Sequence, residues 1–197
     1  PLGVFYLPHC KGLVKNENGS YFYDIEDLDH NGNVDLSDGG DRYIAGQATP
    51  KVILGSNISF RYKNYYISIQ MNGAFGHKIF NGTGLAYTSM ACFPDYNVLK
   101  DAPKKNIVDQ RVSDYWLEKG DYLNFEHLTI GYNVPLRSKF IRSLRVSCNI
   151  SNIGTITGYK GLTPMINSYV VNSTMGIDDK RTYPLYRTYS LGLSVQF

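Results

Sequence analysis

The sequence lacks several features that would assign it to a familiar class. No apolar run approaches the roughly 20 residues that a transmembrane helix needs. Its cysteines, Cys10, Cys92 and Cys148, lie far apart and show no CxxC spacing, so neither a disulfide framework nor a cysteine metal site is expected. The net charge is only +3, and no lysine or arginine cluster forms a basic groove. We therefore expect no nucleic-acid partner.

Signs of a catalytic site and of a secretory leader are also missing. The histidines are scattered, and no cysteine or serine has a partnered base by spacing. No glycine-rich loop suited to phosphate is present, so we expect no enzymatic activity. The chain opens on Pro1 without an initiator methionine or a basic leader, which predicts a segment of a longer protein.

Tyrosine and alternating strands are what the sequence has in abundance. There are 17 tyrosines in 197 residues, and tyrosine concentrates at half-wet surfaces such as membrane interfaces. Residues 187–197 alternate strictly between apolar and polar positions, over about the 9–11 residues that a transmembrane strand needs. An ordinary half-buried strand of a soluble sheet would alternate in the same way. The apolar positions, which we predict to close a barrel wall, are Tyr189, Leu191, Leu193, Val195 and Phe197.

The same two-faced pattern occurs four more times, at about 51–63, 65–76, 121–134 and 144–153. In the strand predicted at 121–134 the apolar residues move from the odd-numbered to the even-numbered positions. Either a β-bulge near Glu126-His127 resets the register, or the first half lies above the lipid.

The connections between these strands alternate in length, with long loops at 77–120 and 154–186. Outer-membrane barrels have short periplasmic turns and long extracellular loops, a rule that soluble sandwiches do not follow. We therefore predict an all-β chain: five antiparallel strands of a transmembrane β-barrel, spanning 51–197. The loops 77–120 and 154–186, and residues 1–50, are predicted to be extracellular. Five strands cannot close a barrel, so other strands of the same protein or further chains must complete it.

Several motifs, in order along the chain, resemble the closing region of SusC/RagA-type TonB-dependent transporters of Bacteroidetes. They are DLDHNGNVD at 27–35, the stretch 46–55 around Pro50, SDYWLEKGDYL at 113–123, LTIGYNVP at 128–135 and RTYSLGL at 187–193. The sequence departs from the family's usual pattern at His30 and at the insertion-like Gly39-Gly40.

The resemblance implies the fold, partners and place of the whole protein. It implies a barrel of about 22 strands with an amino-terminal plug, in the outer membrane. A SusD-like lipoprotein would cover the barrel, and TonB would drive uptake of oligosaccharides or peptides through a part not in this sequence. The alternative from the residues alone is a soluble β-sandwich binding module with a calcium-binding loop.

An acidic loop matches the spacing of calcium-binding loops. Oxygen-bearing side chains alternate from Asp27 onward, and Gly32 stands where such a loop turns sharply. Asn33 would contribute its backbone carbonyl, and Asp38 replaces the usual glutamate. An acidic turn that bonds only its own backbone is the alternative. The predicted ligands of Ca²⁺ are Asp27, Asp29, Asn31, Asn33, Asp35 and Asp38.

Aromatic side chains in the long loops are candidates for contact with a substrate or with the lid protein. Such rings stack on sugars or on peptide side chains, although packing within a loop is the alternative role. The candidates are Tyr87, Phe93, Tyr96, Tyr159 and Tyr169.

Overall fold

A computed structural model of the chain describes residues 3–37, 39–137, 140–166, 175–180 and 182–197. The chain is mostly β-structure and divides into two compact units. One unit comprises residues 51–75, 121–158 and 184–197, and is here called the sheet unit. The other comprises residues 1–50, 76–120 and 159–183, and is called the loop unit because the long loops lie in it.

The sheet unit is one antiparallel sheet of five strands. In chain order its strands are β5 (Val52–Tyr62), β6 (Tyr65–Phe75), β9 (Tyr122–Val134), β10 (Ser143–Thr157) and β12 (Thr188–Gln196). Their spatial order is β12-β10-β9-β6-β5, so β5 and β12 form the two edges. The predicted antiparallel strands are confirmed, although β10 runs four residues further than 153, to Thr157.

Two local features set the register of this sheet. The turn between β5 and β6 has Lys63 in the left-handed region, at φ 52°. In β9 the pairing moves from Gln70 with His127 to Met71 with Phe125, which leaves Glu126 as the extra residue. This is the predicted β-bulge.

The loop unit contains the remaining elements. Its strands are β1 (Val4–Leu7), β2 (Cys10–Lys15), β3 (Tyr21–Ile25), β4 (Tyr43–Gln47), β7 (Lys78–Asn81), β8 (Leu117–Lys119) and β11 (Ile177–Asp178), and its helices are α1 (Gly82–Thr88) and α2 (Ala102–Lys105). No helix in the described ranges is long and apolar enough to cross a membrane.

The hydrophobic core of the described residues lies in the loop unit. Phe5, Tyr23, Ile107 and Trp116 meet there although they are far apart in sequence, and each is at most 7% exposed. The indole N–H of Trp116 donates to the Tyr23 hydroxyl at 2.8 Å. Short strands from distant segments of the predicted long loops thus pack around one hydrophobic core.

Candidate functional site

The sheet unit has one polar face, on which neighbouring strands bring polar side chains side by side. One row crosses all five strands through Ser59, Ser68, Thr129, Asn149 and Ser190. The two serine hydroxyls of Ser59 and Ser68 lie 3.0 Å apart, and Thr129 donates to the Asn149 carbonyl oxygen at 2.9 Å. This face is therefore a continuous hydrogen-bonding surface.

The β-bulge places two adjacent titratable side chains on this polar face. Glu126 Oε2 accepts from the side-chain amides of Gln70 and Asn72, both at 3.1 Å. His127 Nδ1 lies 3.0 Å from the Ser151 hydroxyl. In a regular strand, consecutive residues point to opposite faces, so the extra residue is what brings Glu126 and His127 together.

The other face of the sheet unit, here called the apolar face, is exposed. Its central row runs through Phe60, Ile67, Ile130, Cys148 and Leu191. Leu191 is 85% exposed and Phe60 is 65% exposed. Burying a large apolar side chain is worth about 1.5–3 kcal/mol, so a row left in water would forgo that gain at each position.

Four of the predicted closing residues lie on the apolar face of the edge strand β12, and the fifth, Phe197, directly follows that strand. Tyr189, Leu191, Leu193, Val195 and Phe197 are all exposed, between 38% and 85%. On one side β12 pairs with β10, from Ser143 opposite Gln196 to Ser151 opposite Thr188. Among the described residues of the sheet unit, Ala74 is the one buried apolar side chain, and the unit contains a single sheet.

The acidic loop brings together only part of the predicted calcium ligands. Carboxylate oxygens of Asp27, Asp29 and Asp41 lie within 4.8 Å of one another. Asp35 instead bonds Ser37, accepting from its N–H and its hydroxyl, both at 2.8 Å.

The remaining predicted ligands contribute to the loop in other ways. The Asn31 amide donates to Asp29 Oδ2 at 2.7 Å, and its carbonyl oxygen accepts from the Asn33 N–H at 2.8 Å. Asn33 is exposed. Asp38 lies outside the described residues.

Asp41, which the sequence analysis did not include, is the buried member of this cluster at 1% exposure. Its Oδ1 accepts from the Leu28 N–H at 2.6 Å, and its Oδ2 from the Asp35 N–H at 2.7 Å. Gly40 makes this return of the chain possible, because a Cβ there would collide with the backbone of Asp35. Gly39 and Gly40, at which the sequence departs from the family pattern, are the residues from which this fold-back could have been predicted.

The residues of this loop fit a hard cation such as Ca²⁺. Asp27 Oδ1 is buried and, within the described structure, has no hydrogen-bond partner. Desolvation raises the pKa of Asp27, but hydrogen bonds to the carboxylate, that of the Gly32 N–H foremost, outweigh it and lower this pKa below its ordinary value. An ionised carboxylate with an unused oxygen, beside two others, suits a cation that prefers six to eight oxygen ligands.

The structure separates the aromatic candidates by their surroundings. Tyr159 is 6% exposed and its hydroxyl donates to Asp178 at 2.8 Å, so it is a packing residue and the predicted ligand contact does not fit it. Phe93 is 61% exposed. Tyr169 lies outside the described residues.

Tyr87 and Tyr96 line one cavity in the loop unit, here called the tyrosine pocket. It has a volume of about 440 Å³ and is bounded by α1, Cys92, Gln110 and Lys180 together with the two tyrosines. Neither Gln110 nor Lys180 could be predicted to join the two tyrosines, because they belong to separate segments of the chain.

No protein-family model matches the chain, but individual proteins do. The TonB-dependent receptor P3 of Formosa agariphila is 28% identical over 228 residues, covering 100% of this chain and 22% of that protein. The TonB-dependent receptor SusC of Bacteroides thetaiotaomicron is 27% identical over 198 residues, covering 93% of this chain and 18% of that protein. The chain thus spans about a fifth of the length of these curated relatives.

Solved structures of the RagAB peptide transporter share the fold of this chain. One aligns with a TM-score of 0.72 at 17% identity, over 100% of this chain and 23% of the other. Another, of the "open-open" state, aligns with a TM-score of 0.72 at 18% identity, over 98% of this chain and 22% of the other. None of these names is that of an enzyme. Sequence and fold together confirm the resemblance: over its whole length this chain is similar to part of TonB-dependent receptors, SusC among them, and it shares the fold of part of the RagAB transporter.

Proposed function

We propose that this chain forms part of the barrel wall of a TonB-dependent nutrient importer in the bacterial outer membrane. The observation that carries the proposal is the five-stranded sheet with one exposed apolar face and one hydrogen-bonded polar face. In a membrane barrel the apolar face contacts lipid and the polar face lines an aqueous lumen.

The two edges of the sheet support a larger barrel. In the described structure, β5 and β12 each pair with one strand only. An unpaired strand edge exposes backbone N–H and C=O groups, which lipid cannot satisfy, so both edges require further strands. The remaining strands and the plug would come from the same protein. TonB would act on that other part.

The transported substrate and the partner are inferred from the relatives. RagAB is named as a peptide importer, and the family resemblance of the motifs implies oligosaccharides as well, so an oligosaccharide or a peptide is the proposed cargo. The proposed partner is a SusD-like lipoprotein that covers the extracellular mouth. The loops of the loop unit would then face the outside of the cell and this partner.

Fractionation of cells that express the full-length protein tests the proposal. We expect the protein in the outer-membrane fraction, released only by detergent, and a lipoprotein that co-purifies with it. Uptake of the cargo should stop when TonB is deleted. If residues 1–197 expressed alone gave a soluble, monomeric domain that unfolds cooperatively, the apolar face would not be a lipid surface and the soluble binding module would be favoured.

We also propose that the acidic loop holds Ca²⁺ as a structural ion. The unpartnered Asp27 Oδ1, beside the carboxylates of Asp29 and Asp41, supports this role. A bound Ca²⁺ would offset two of the three negative charges of the converging carboxylates and stiffen the loop. Asp27, Asp29 and Asp41 would provide side-chain ligands, and Asp41 would take the part that the sequence assigned to Asp38.

Calcium titration of the full-length protein tests this second proposal. Asp27→Asn and Asp41→Asn should each weaken Ca²⁺ binding, while Asp95→Asn, an exposed acidic residue outside the loop, should not. Protection of the loop from protease should depend on Ca²⁺ in the wild type. Equal calcium affinity in the wild type and Asp27→Asn would contradict the proposal.

A further inference from the structure

We infer that the tyrosine pocket is a binding site for a ring-bearing carboxylate. Its volume of about 440 Å³ falls in the range of small-ligand sites, about 300–1,000 Å³. Two aromatic side chains and one cationic side chain line it, which are the groups that hold a ring and a negative charge. The site lies wholly within the loop unit.

One wall of the pocket is the helix α1, whose start is held in place. The side chain of Asn81 accepts from the Gly84 N–H at 2.6 Å and donates to Glu118 at 2.9 Å. Thr83 donates to the buried Asp178 at 2.7 Å. Gly82 lies so close to the Asp178 backbone carbonyl that a Cβ would collide with it. This wall is therefore preformed.

A second wall is tied to the first through Gln110. The amide of Gln110 donates to the Ala86 carbonyl at 3.3 Å and to the Cys92 sulfur at 2.8 Å. The Tyr96 N–H donates to the Cys92 carbonyl at 2.9 Å, which sets the turn that presents the Tyr96 ring. Tyr96 is 66% exposed, so its ring is accessible to a ligand.

The backbone of the cationic residue is held by a buried carboxylate. Asp178 is fully buried and accepts from the Tyr159 hydroxyl at 2.8 Å and from the Lys180 N–H at 3.4 Å. Asp178 also lies opposite Asn81, where β11 pairs with β7. Lys180 therefore stands two residues after a position that is held by several contacts.

The balance of charge selects the class of ligand. Among the described residues that line the pocket, Lys180 is the only one with a formal charge. Its ammonium attracts an anion, while the rings of Tyr87 and Tyr96 favour a flat or ring-shaped neighbour. A carboxylate on a ring-bearing residue satisfies both. Such a residue occurs as a sugar acid or at the carboxyl end of a peptide.

The inference rests on the proposed function only for the source of this ligand. Binding to the pocket requires neither TonB nor membrane passage. A full-length protein that fractionates with the outer membrane but binds no carboxylate would refute the pocket and leave the importer intact. The reverse result would refute the importer alone.

Binding of two matched pairs of probes to the purified full-length protein tests the inference. The pairs are D-glucuronate with methyl glucoside, and N-acetyl-L-phenylalanine with its amide, each measured by ligand-observed NMR at millimolar concentration. In at least one pair, the carboxylate should bind better than its neutral partner by about tenfold or more, the usual worth of a charge-assisted hydrogen bond. The preferred pair identifies the source as sugar or peptide.

Variants separate the contribution of the Lys180 charge from that of the Tyr96 ring. Lys180→Gln should abolish the preference for the carboxylate, and Tyr96→Ala should weaken both members of the preferred pair alike. Lys104→Gln and Tyr183→Ala, exposed residues that do not line the pocket, serve as controls and should bind as the wild type does. Equal affinity for charged and neutral probes in the wild type, no binding of either pair, or an unchanged preference in Lys180→Gln would overturn the inference.

Discussion

Replacing Leu191 with arginine tests the environment of the apolar face more sharply than any other single change. Leu191 is 85% exposed and lies in the middle of β12, in the row with Cys148 and Ile130. In water, such an exposed position tolerates substitution within about 0.5 kcal/mol. At the lipid face of a barrel, an arginine near the bilayer midplane costs about 2–4 kcal/mol.

The adjacent residue provides the matched control. Ser190 lies on the polar face, beside Asn149. Ser190→Arg places the same side chain one residue away but on the opposite face, so it should change the free energy of unfolding by less than about 1 kcal/mol. Denaturant titration of the full-length protein folded into lipid vesicles measures both values. Equal effects of the two arginines would refute the assignment of the faces.

Two further predictions concern packing and pH. Gly131→Ala should destabilise the sheet by about 1–3 kcal/mol, the usual cost of overpacking, because the Tyr66 ring lies directly over Gly131. Denaturant titration measures this change in the free energy of unfolding. Gly55→Ala is the control, because a Cβ at Gly55 would meet open space. Asp114 accepts from the Cys10 N–H and the Tyr43 hydroxyl, both at 2.7 Å, and lies 2.6 Å from His9 Nδ1. Burial raises the pKa of Asp114, but these hydrogen bonds, that of His9 first, outweigh it and lower the pKa below its ordinary value. The contribution of Asp114 to the stability of the folded state is therefore complete above the pKa of about 3.9 that it has in the unfolded chain. This contribution is lost as the pH falls through the lower pKa that Asp114 has in the folded state. Protease protection of the loop unit should fall over that acidic range in the wild type, and Asp114→Asn should already be less protected at neutral pH; the same protection in both proteins at neutral pH would contradict this.

The strands of the sheet unit could be predicted because their signal is local. Alternation over the 9 to 15 residues of each strand is a period-two pattern, and it can be recognised along the chain without knowing which strands are paired. The β-bulge was also predictable, since an extra residue shifts the apolar set to the other parity. The open edges followed from strand number alone.

The loop unit could not be predicted because its order depends on distant contacts. Its strands are only two to six residues long, too short for a period to show. Its core brings Phe5 to Ile107 and Trp116, segments that no local pattern connects.

The site contacts that the sequence did not predict have the same origin. Asp41 enters the acidic cluster through a fold-back at Gly40, three residues beyond the motif that predicted Asp38. Tyr159 is of a residue type that is common in binding sites, but its side chain is buried and its hydroxyl donates to Asp178. Neither contact can be read from spacing along the chain.

In the proposed barrel, one face of the sheet contacts lipid and the other contacts water. Single nitroxide labels at successive positions of β12 (Thr188–Gln196), in the full-length protein in lipid vesicles, measure this by their accessibility to oxygen and to a water-soluble nickel complex. We predict alternation with a period of two: Tyr189, Leu191, Leu193 and Val195 accessible to oxygen, and the intervening positions accessible to nickel. Uniform accessibility to nickel along the strand would contradict the account.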